Sequence, residues 1–220
     1  MITVNVPRES AVADYLRQGG QRGLRRAFEL GATRVRAEVE LSGLRGHAGT
    51  GLPASIIWQT VASSSASDKY ICGNADAGSA TSVADHGVLE RDPFRLLEGM
   101  VIAGYAVGAH VGYLYLCAEQ PRAAAVISDA IGIARDEGWL GDDILESGFD
   151  FDVQLRVGGG AHICRETPTE TADFVPSPQA ITELFGHPTV VDDIPTLLSV
   201  PTVLAVGGSA FARVGRAAAQ

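Results

Sequence analysis

Ser42-Gly43-Leu44-Arg45-Gly46-His47-Ala48-Gly49-Thr50-Gly51-Leu52-Pro53 is the stretch on which the reading of this chain turns. Glycines at 43, 46, 49 and 51 fall between two segments of helical pattern, and a proline closes the run. Glycine at that density lets a backbone pass close to a ligand, and successive N–H groups there can converge on an anion. Pro53 suits the first turn of a helix predicted over 54–62, whose free N–H groups would add to such a site. The spacing is neither G-x-G-x-x-G nor a Walker motif, so the local pattern alone is equally that of a flexible loop.

Working outward, helices are predicted over 11–18, 22–30 and 32–41, with Gly19-Gly20 between the first two. Beyond 54–62 come a polar loop over 62–68, a short buried strand over 69–73 and an irregular segment over 74–90. Asp92-Pro93 opens a helix with an N-cap and a proline at its first position. The apolar, aromatic and β-branched run 111–118 is the clearest strand, and 120–137 is an alanine-rich amphipathic helix stopped at Gly138. Residues 150–157 alternate as a strand and run into Gly158-Gly159-Gly160. A Pro- and Thr-rich loop over 168–178, a short helix over 193–198 and an apolar tail over 203–206 follow. This alternation indicates an α/β sandwich around a partly parallel sheet, with a helical segment over 1–41 and an α/β domain over 42–220.

A hydrophobic share of 46% and a charged share of 20% are those of a globular protein, and 220 residues suffice for one substantial core. The net charge of -9 argues against nucleic acid or an anionic membrane as the partner. Lys69 is the sole lysine, so a phosphate site must rely on arginine or backbone N–H groups; this usage is expected of a GC-rich bacterial genome. The three cysteines, Cys72, Cys117 and Cys164, form no C-x-x-C pair, and neither a disulfide framework nor a metal site is expected. The N-terminus has no signal-like apolar run, and the apolar stretch 100–109 is too short to span a bilayer, so a cytoplasmic location is expected.

Further motifs carry a resemblance: Asn74-Ala75-Asp76, Leu89-Glu90-Arg91-Asp92-Pro93, Leu97-Glu98-Gly99-Met100, Ser147-Gly148-Phe149-Asp150-Phe151-Asp152 and Phe185-Gly186-His187-Pro188-Thr189-Val190. With Ser42-Gly43-Leu44-Arg45-Gly46, and in this order and spacing, they resemble the flavin-bearing, NADH-oxidising subunit of respiratory complex I, shared with NAD-linked hydrogenases and formate dehydrogenases. The resemblance runs from about residue 19 to about residue 212. It implies an α/β fold whose Gly-rich loop holds FMN under NADH, with electrons leaving singly to iron–sulfur clusters.

The departures fall on the chemistry. Where the family's loop ends in a lysine before tryptophan, Ile57 precedes Trp58; its phenylalanine before the loop proline is Leu52. The acidic residues after its Asn-Ala-Asp are Ala77 and Ser79, and its Gly-Glu-Glu-Thr turn is Arg165-Glu166-Thr167-Pro168. Two asparagines near the flavin phosphate are Asp192 and Asp193, and the glutamate two places on is Pro195. A carboxylate cannot donate to a phosphate; at ~4 Å and an effective dielectric near 20, like charges cost on the order of 4 kcal/mol. The family's cysteine-ligated cluster region is also missing from the 220 residues.

The resemblance places His47, His162, Asp76, Arg165, Glu166, Asp192 and Asp193 along one cleft, with His47 replacing an arginine and His162 an aromatic residue. Histidine beside carboxylate is the usual pairing for proton transfer near neutral pH. The expected function is therefore a cofactor-independent isomerisation or cyclisation of a small molecule in specialised metabolism. His47 and His162 serve there as acid and base, Asp76 and Asp193 orient them, and Arg165 binds an anionic group of the substrate. One alternative is an FMN-dependent NAD(P)H oxidoreductase without iron–sulfur clusters, holding the flavin through Gly46, Gly49, Gly51, Asn74, Glu166 and Thr196. Another is a non-catalytic binding or partner subunit. No cofactor and no metal are expected under the main reading, and a homo-oligomer or a pathway partner protein is compatible with it.

Overall fold

The central strand, β1 (Tyr70–Asn74), is short and apolar at its heart, and Ile71 and Cys72 are fully buried. A strand covered on both faces carries a continuous apolar run instead of an alternation. The computed structural model describes residues 8–46, 52–75, 82–116, 118, 120–158 and 183–218. Before β1 come α1 (Arg8–Arg17), α2 (Arg22–Leu30), α3 (Ala32–Ser42) and α4 (Ala54–Ser63). After it come α5 (Ser82–Arg91), α6 (Pro93–Val107), β2 (Val111–Leu116), α7 (Pro121–Asp136), β3 (Asp152–Val157), β4 (Glu183–Leu184), β5 (His187–Asp193), α8 (Ile194–Val206) and α9 (Gly208–Ala218).

Among the described residues the strands form one sheet in the order β3-β2-β1-β5-β4. The first four are mutually parallel and β4 pairs antiparallel with β5. The expected α/β architecture with a partly parallel sheet is therefore what the chain adopts. From β1 the chain builds β2 and β3 on one side, then crosses to the other side for β4 and β5. Such a switch leaves a crevice at the carboxyl ends of β1 and β5, the usual ligand position in open α/β sheets.

Helices α4, α6 and α8 pack on the sheet, and α2 and α3 pack in turn on α6 and α8. Trp58, Met100, Ile102, Leu114, Leu197 and Leu204 are fully buried in the resulting core. At Gly99 an added Cβ would lie 2.1 Å from the Leu197 carbonyl oxygen, so α6 and α8 touch backbone to backbone there. That contact requires glycine in the Leu97-Glu98-Gly99-Met100 motif. Glu98, only 3% exposed, reaches the other way: its Oε2 and Oε1 accept from the Gln21 and Leu24 amides, each at 2.9 Å, and Oε2 also accepts from the Tyr15 hydroxyl. One carboxylate thus supplies the N-terminal cap that the residues at the start of α2 do not provide.

Four elements differ from the sequence reading. Residues read as irregular over 74–90 include most of α5, whose Gly87 and weak amphipathic pattern hide a helix. The sequence pattern marks no strand at β5, because His187-Pro188 opens it and Asp192-Asp193 closes it around only three β-branched residues. α8 runs well past 198 despite Pro201, with Arg95 Nε donating to the Leu198 carbonyl at 2.9 Å across the helix that the proline interrupts. α9 follows α8 directly where the sequence suggests only a tail. No single helix among the described residues is long and apolar enough to cross a membrane.

Candidate functional site

The Gly-rich stretch leaves α3 through Ser42 and Gly43. Ser42 Oγ donates to the Val39 carbonyl at 2.6 Å and accepts from the Leu44 amide at 3.1 Å, while Gly43 ends the helix in the left-handed region at φ 67°. Leu44 and Leu52 then close a neck: Gly46 N–H donates to Leu52 O at 3.2 Å, Ala54 N–H to Leu44 O at 3.0 Å, and Arg45 bridges Pro53. Pro53 is the N-cap of α4 at ψ 129°, one place before the helix, where the sequence reading sets it in the first turn. The neck is fastened to α8 as well, because the Thr196 hydroxyl donates to Arg45 O at 3.3 Å.

Across the neck lie the carboxyl ends of β1 and β5, with Gly73 in register with Asp192 and Asn74 in register with Asp193. Asp193 is the N-cap of α8, its Oδ1 accepting from the Thr196 amide at 2.8 Å. Asp192 is fully buried. Its Oδ2 accepts from Trp58 Nε1–H at 2.9 Å, and its Oδ1 has no hydrogen-bond partner among the described residues. A side chain built on Gly46 would meet that oxygen at 3.9 Å. Burial pushes the Asp192 carboxyl up to about 7, with the Trp58 hydrogen bond working against the rise and the charge of Asp193 adding to it.

Gly46, Asn74, Asp193 and Thr196 therefore lie near one another at the carboxyl ends of β1 and β5. Thr196 is fully buried and acts there as a clamp, with both its hydroxyl and its amide engaged. His47, Gly49, Gly51, Asp76, His162, Arg165 and Glu166 lie outside the described residues. The Trp58–Asp192 pair is beyond the reach of sequence reasoning: 134 positions separate its partners, and no local signal joins them. Lys69, the sole lysine, is occupied elsewhere, with Nζ donating to the Ala62 carbonyl at 3.0 Å and the Val107 carbonyl at 3.3 Å near the ends of α4 and α6.

Residues 39–169 match the model of the Nuo51 FMN-binding domain, which takes in the Gly-rich stretch, β1, α6, β2 and β3. The chain belongs to this family. It is 35% identical to an NADH-quinone oxidoreductase subunit of Rhizobium meliloti, over 96% of this chain and 53% of that protein. It is also 35% identical to the HndC subunit of the NADP-reducing hydrogenase of Solidesulfovibrio fructosivorans, over 96% of this chain and 44% of the relative. The chain thus spans about half the length of these relatives. Among solved structures, an NAD+-reducing NiFe hydrogenase in its H2-reduced state superposes with a TM-score of 0.63 at 25% identity, over 83% of this chain and 33% of that one.

Membership of the Nuo51 family overturns two expectations. The cofactor-independent isomerase or cyclase gives way, because the family is an FMN-binding domain and the relatives are named for NADH- and NADP-linked redox chemistry. The expectation of no cofactor falls with it. Its physical basis is the repulsion of a flavin phosphate by ionised aspartates, and Asp192 weakens that basis. A carboxyl with a pKa near 7 is largely neutral in mildly acidic solution. As a neutral acid it presents one acceptor and one donor, as an asparagine does. Among the described residues, the partnerless Oδ1 beside the open flank of Gly46 is a buried polar atom left for a ligand to engage.

Proposed function

We propose that this chain is the FMN-binding domain of an NAD(P)H-linked oxidoreductase. The observation that carries the reading is the Asp192 Oδ1, buried at the β1–β5 crevice beside Gly46 without a partner among the described residues, in a chain of the Nuo51 family. When bound, FMN supplies hydride acceptance from a reduced nicotinamide and one-electron release. Gly46 gives the flavin close passage along the neck, and Asn74 and Asp192 hold it from the ends of β1 and β5. Thr196 holds the neck to α8 and so sets the width of the crevice. Gly49, Gly51 and Glu166 are assigned to the same cofactor. Because the two relatives are named as subunits, the chain is further proposed to work beside a partner protein.

Titration of the purified chain with FMN at about pH 6, followed by flavin fluorescence, tests this reading; the flavin phosphate is itself half-ionised near there. One FMN per chain, bleached anaerobically by NADH or NADPH, is expected. A chain that leaves the flavin emission unchanged at saturating concentration is not an FMN domain.

A further inference from the structure

Among the described residues, the end of β5 does not fit a phosphate. Donors there are already spent: the Gly46 amide on Leu52 O, the Thr196 amide on Asp193 Oδ1 and the Thr196 hydroxyl on Arg45 O. Pro195 has no N–H to give, and the residue beside Asp192 in β1 is Gly73, which has no side chain. Asn74 is in register with Asp193, and alternation along a strand sets it on the opposite face of the sheet from Asp192.

What these residues leave open is the reverse, an acceptor. Asp192 Oδ1 is buried beside the open flank of Gly46 with no partner among them, while the Trp58 indole, a donor only, holds Oδ2. When the side chain is neutral its proton therefore lies on Oδ1; when it is ionised, Oδ1 only accepts. A hydroxyl suits both states, because it donates and accepts. A phosphate, which above about pH 6 has no proton to give, suits the neutral state alone. The elements around Asp192 are α4 with Trp58, the neck with Gly46 and the exposed Arg45, β1 with Gly73 and α8 with Thr196. Among the described residues the charged group acting on Asp192 is Asp193, its neighbour in β5, and it acts against ionisation. The same charge repels a phosphate.

We propose that Asp192 Oδ1 takes a hydroxyl of the ligand in the β1–β5 crevice and turns a phosphate away, so that at and above neutral pH this chain prefers a flavin without its phosphate. The proposal rests on the reading above in that the ligand is a flavin. It departs from the resemblance, which implies a flavin phosphate beside residues 192 and 193. At about pH 6, where Asp192 is largely neutral, the crevice admits either form, and the preference grows as the carboxyl ionises.

The test measures dissociation constants of riboflavin and of FMN by flavin fluorescence at about pH 6 and about pH 8, for the wild type and Asp192→Asn. At the higher pH the wild type is expected to hold riboflavin at least about tenfold more tightly than FMN. In Asp192→Asn the amide oxygen meets Trp58 and the NH2 group faces Gly46, a donor where the wild type has an acceptor. The preference for riboflavin should there shrink about tenfold or reverse. A smaller wild-type preference, one for FMN, or one that Asp192→Asn leaves unchanged overturns the proposal and leaves the flavin reading standing. No binding of either flavin by the wild type at either pH overturns both. Should Asp192→Asn fail to fold, the wild-type preference at the higher pH decides alone.

Discussion

Glu98 and Asp192 are buried to nearly the same depth, at 3% and 0% exposure, yet the protein treats them in opposite ways. Glu98 receives the Tyr15 hydroxyl and the Gln21 and Leu24 amides. Among the described residues Asp192 receives Trp58 alone, and one of its oxygens has no partner. The first carboxylate joins α1, α2 and α6 and has its lone pairs in use; burial also pushes the Tyr15 phenol far above its ordinary range, Glu98's charge adding to the effect. The second sits where a ligand is bound in this class of sheet. The first carboxylate is occupied on both oxygens, and the second, at the crevice, has one oxygen without a partner among the described residues.

The contrast can be broken most strongly at Glu98. Glu98→Ala leaves two amides and a hydroxyl without an acceptor, and at about 1–3 kcal/mol each the loss is on the order of 5 kcal/mol. Urea denaturation should show a chain that is largely unfolded or close to it.

Asp192→Asn should do the reverse, with a sign set by pH. The folded protein raises this carboxyl from 3.8 to about 7, so the folded state binds the proton more tightly than the unfolded chain does. The cost of ionisation is absent below the unfolded value, grows between the two values and is complete above the folded one. Asparagine should therefore gain almost nothing at about pH 3 and on the order of 4 kcal/mol at about pH 8.5, read from denaturation midpoints across the range. A stability gain that does not vary with pH would place the effect in packing.

Tyr15→Phe sharpens the Glu98 side of the comparison. It removes one charge-assisted hydrogen bond and keeps the ring packing on Phe94 and Trp139, for a loss of about 2 kcal/mol in the same assay. The smallest effect belongs to a carboxylate left in water. Asp152 pairs with Arg135 through two hydrogen bonds at 2.9 and 2.8 Å, but the side chains are 40% and 47% exposed. Asp152→Asn should cost no more than about 1 kcal/mol, and less in high salt.

Much of the frame was legible in the residues. The ranges of α2 and α6 follow from periodicity and from Asp92-Pro93, and the β-branched and aromatic run of β2 announces its strand. The clamp formed by Ser42 and Gly43 is a local device, and its motif carried the family resemblance. What escaped was set by distant contacts. β5 is held centrally by pairing with β1, over a hundred positions away, and its own composition is half polar. α8 keeps its course past Pro201 because α6 packs on it.

The candidate site divides in the same way. Gly46, Asn74, Asp193 and Thr196 are named through the family resemblance, and the fold sets them near one another. The chemistry of Asp192 is misjudged in the sequence because an aspartate there is read with its charge in water. Trp58, the neck at Gly46 and the sheet strip away that water, and none of them is near it in the chain.

The measurement that bears most directly on this account is the protonation of Asp192 in the folded chain, followed as its carboxyl carbon-13 resonance against pH, with Asp192→Asn identifying the signal. The account requires a titration centred near 7. A carboxyl that remains ionised down to about pH 4, the range of an ordinary aspartate, would contradict it.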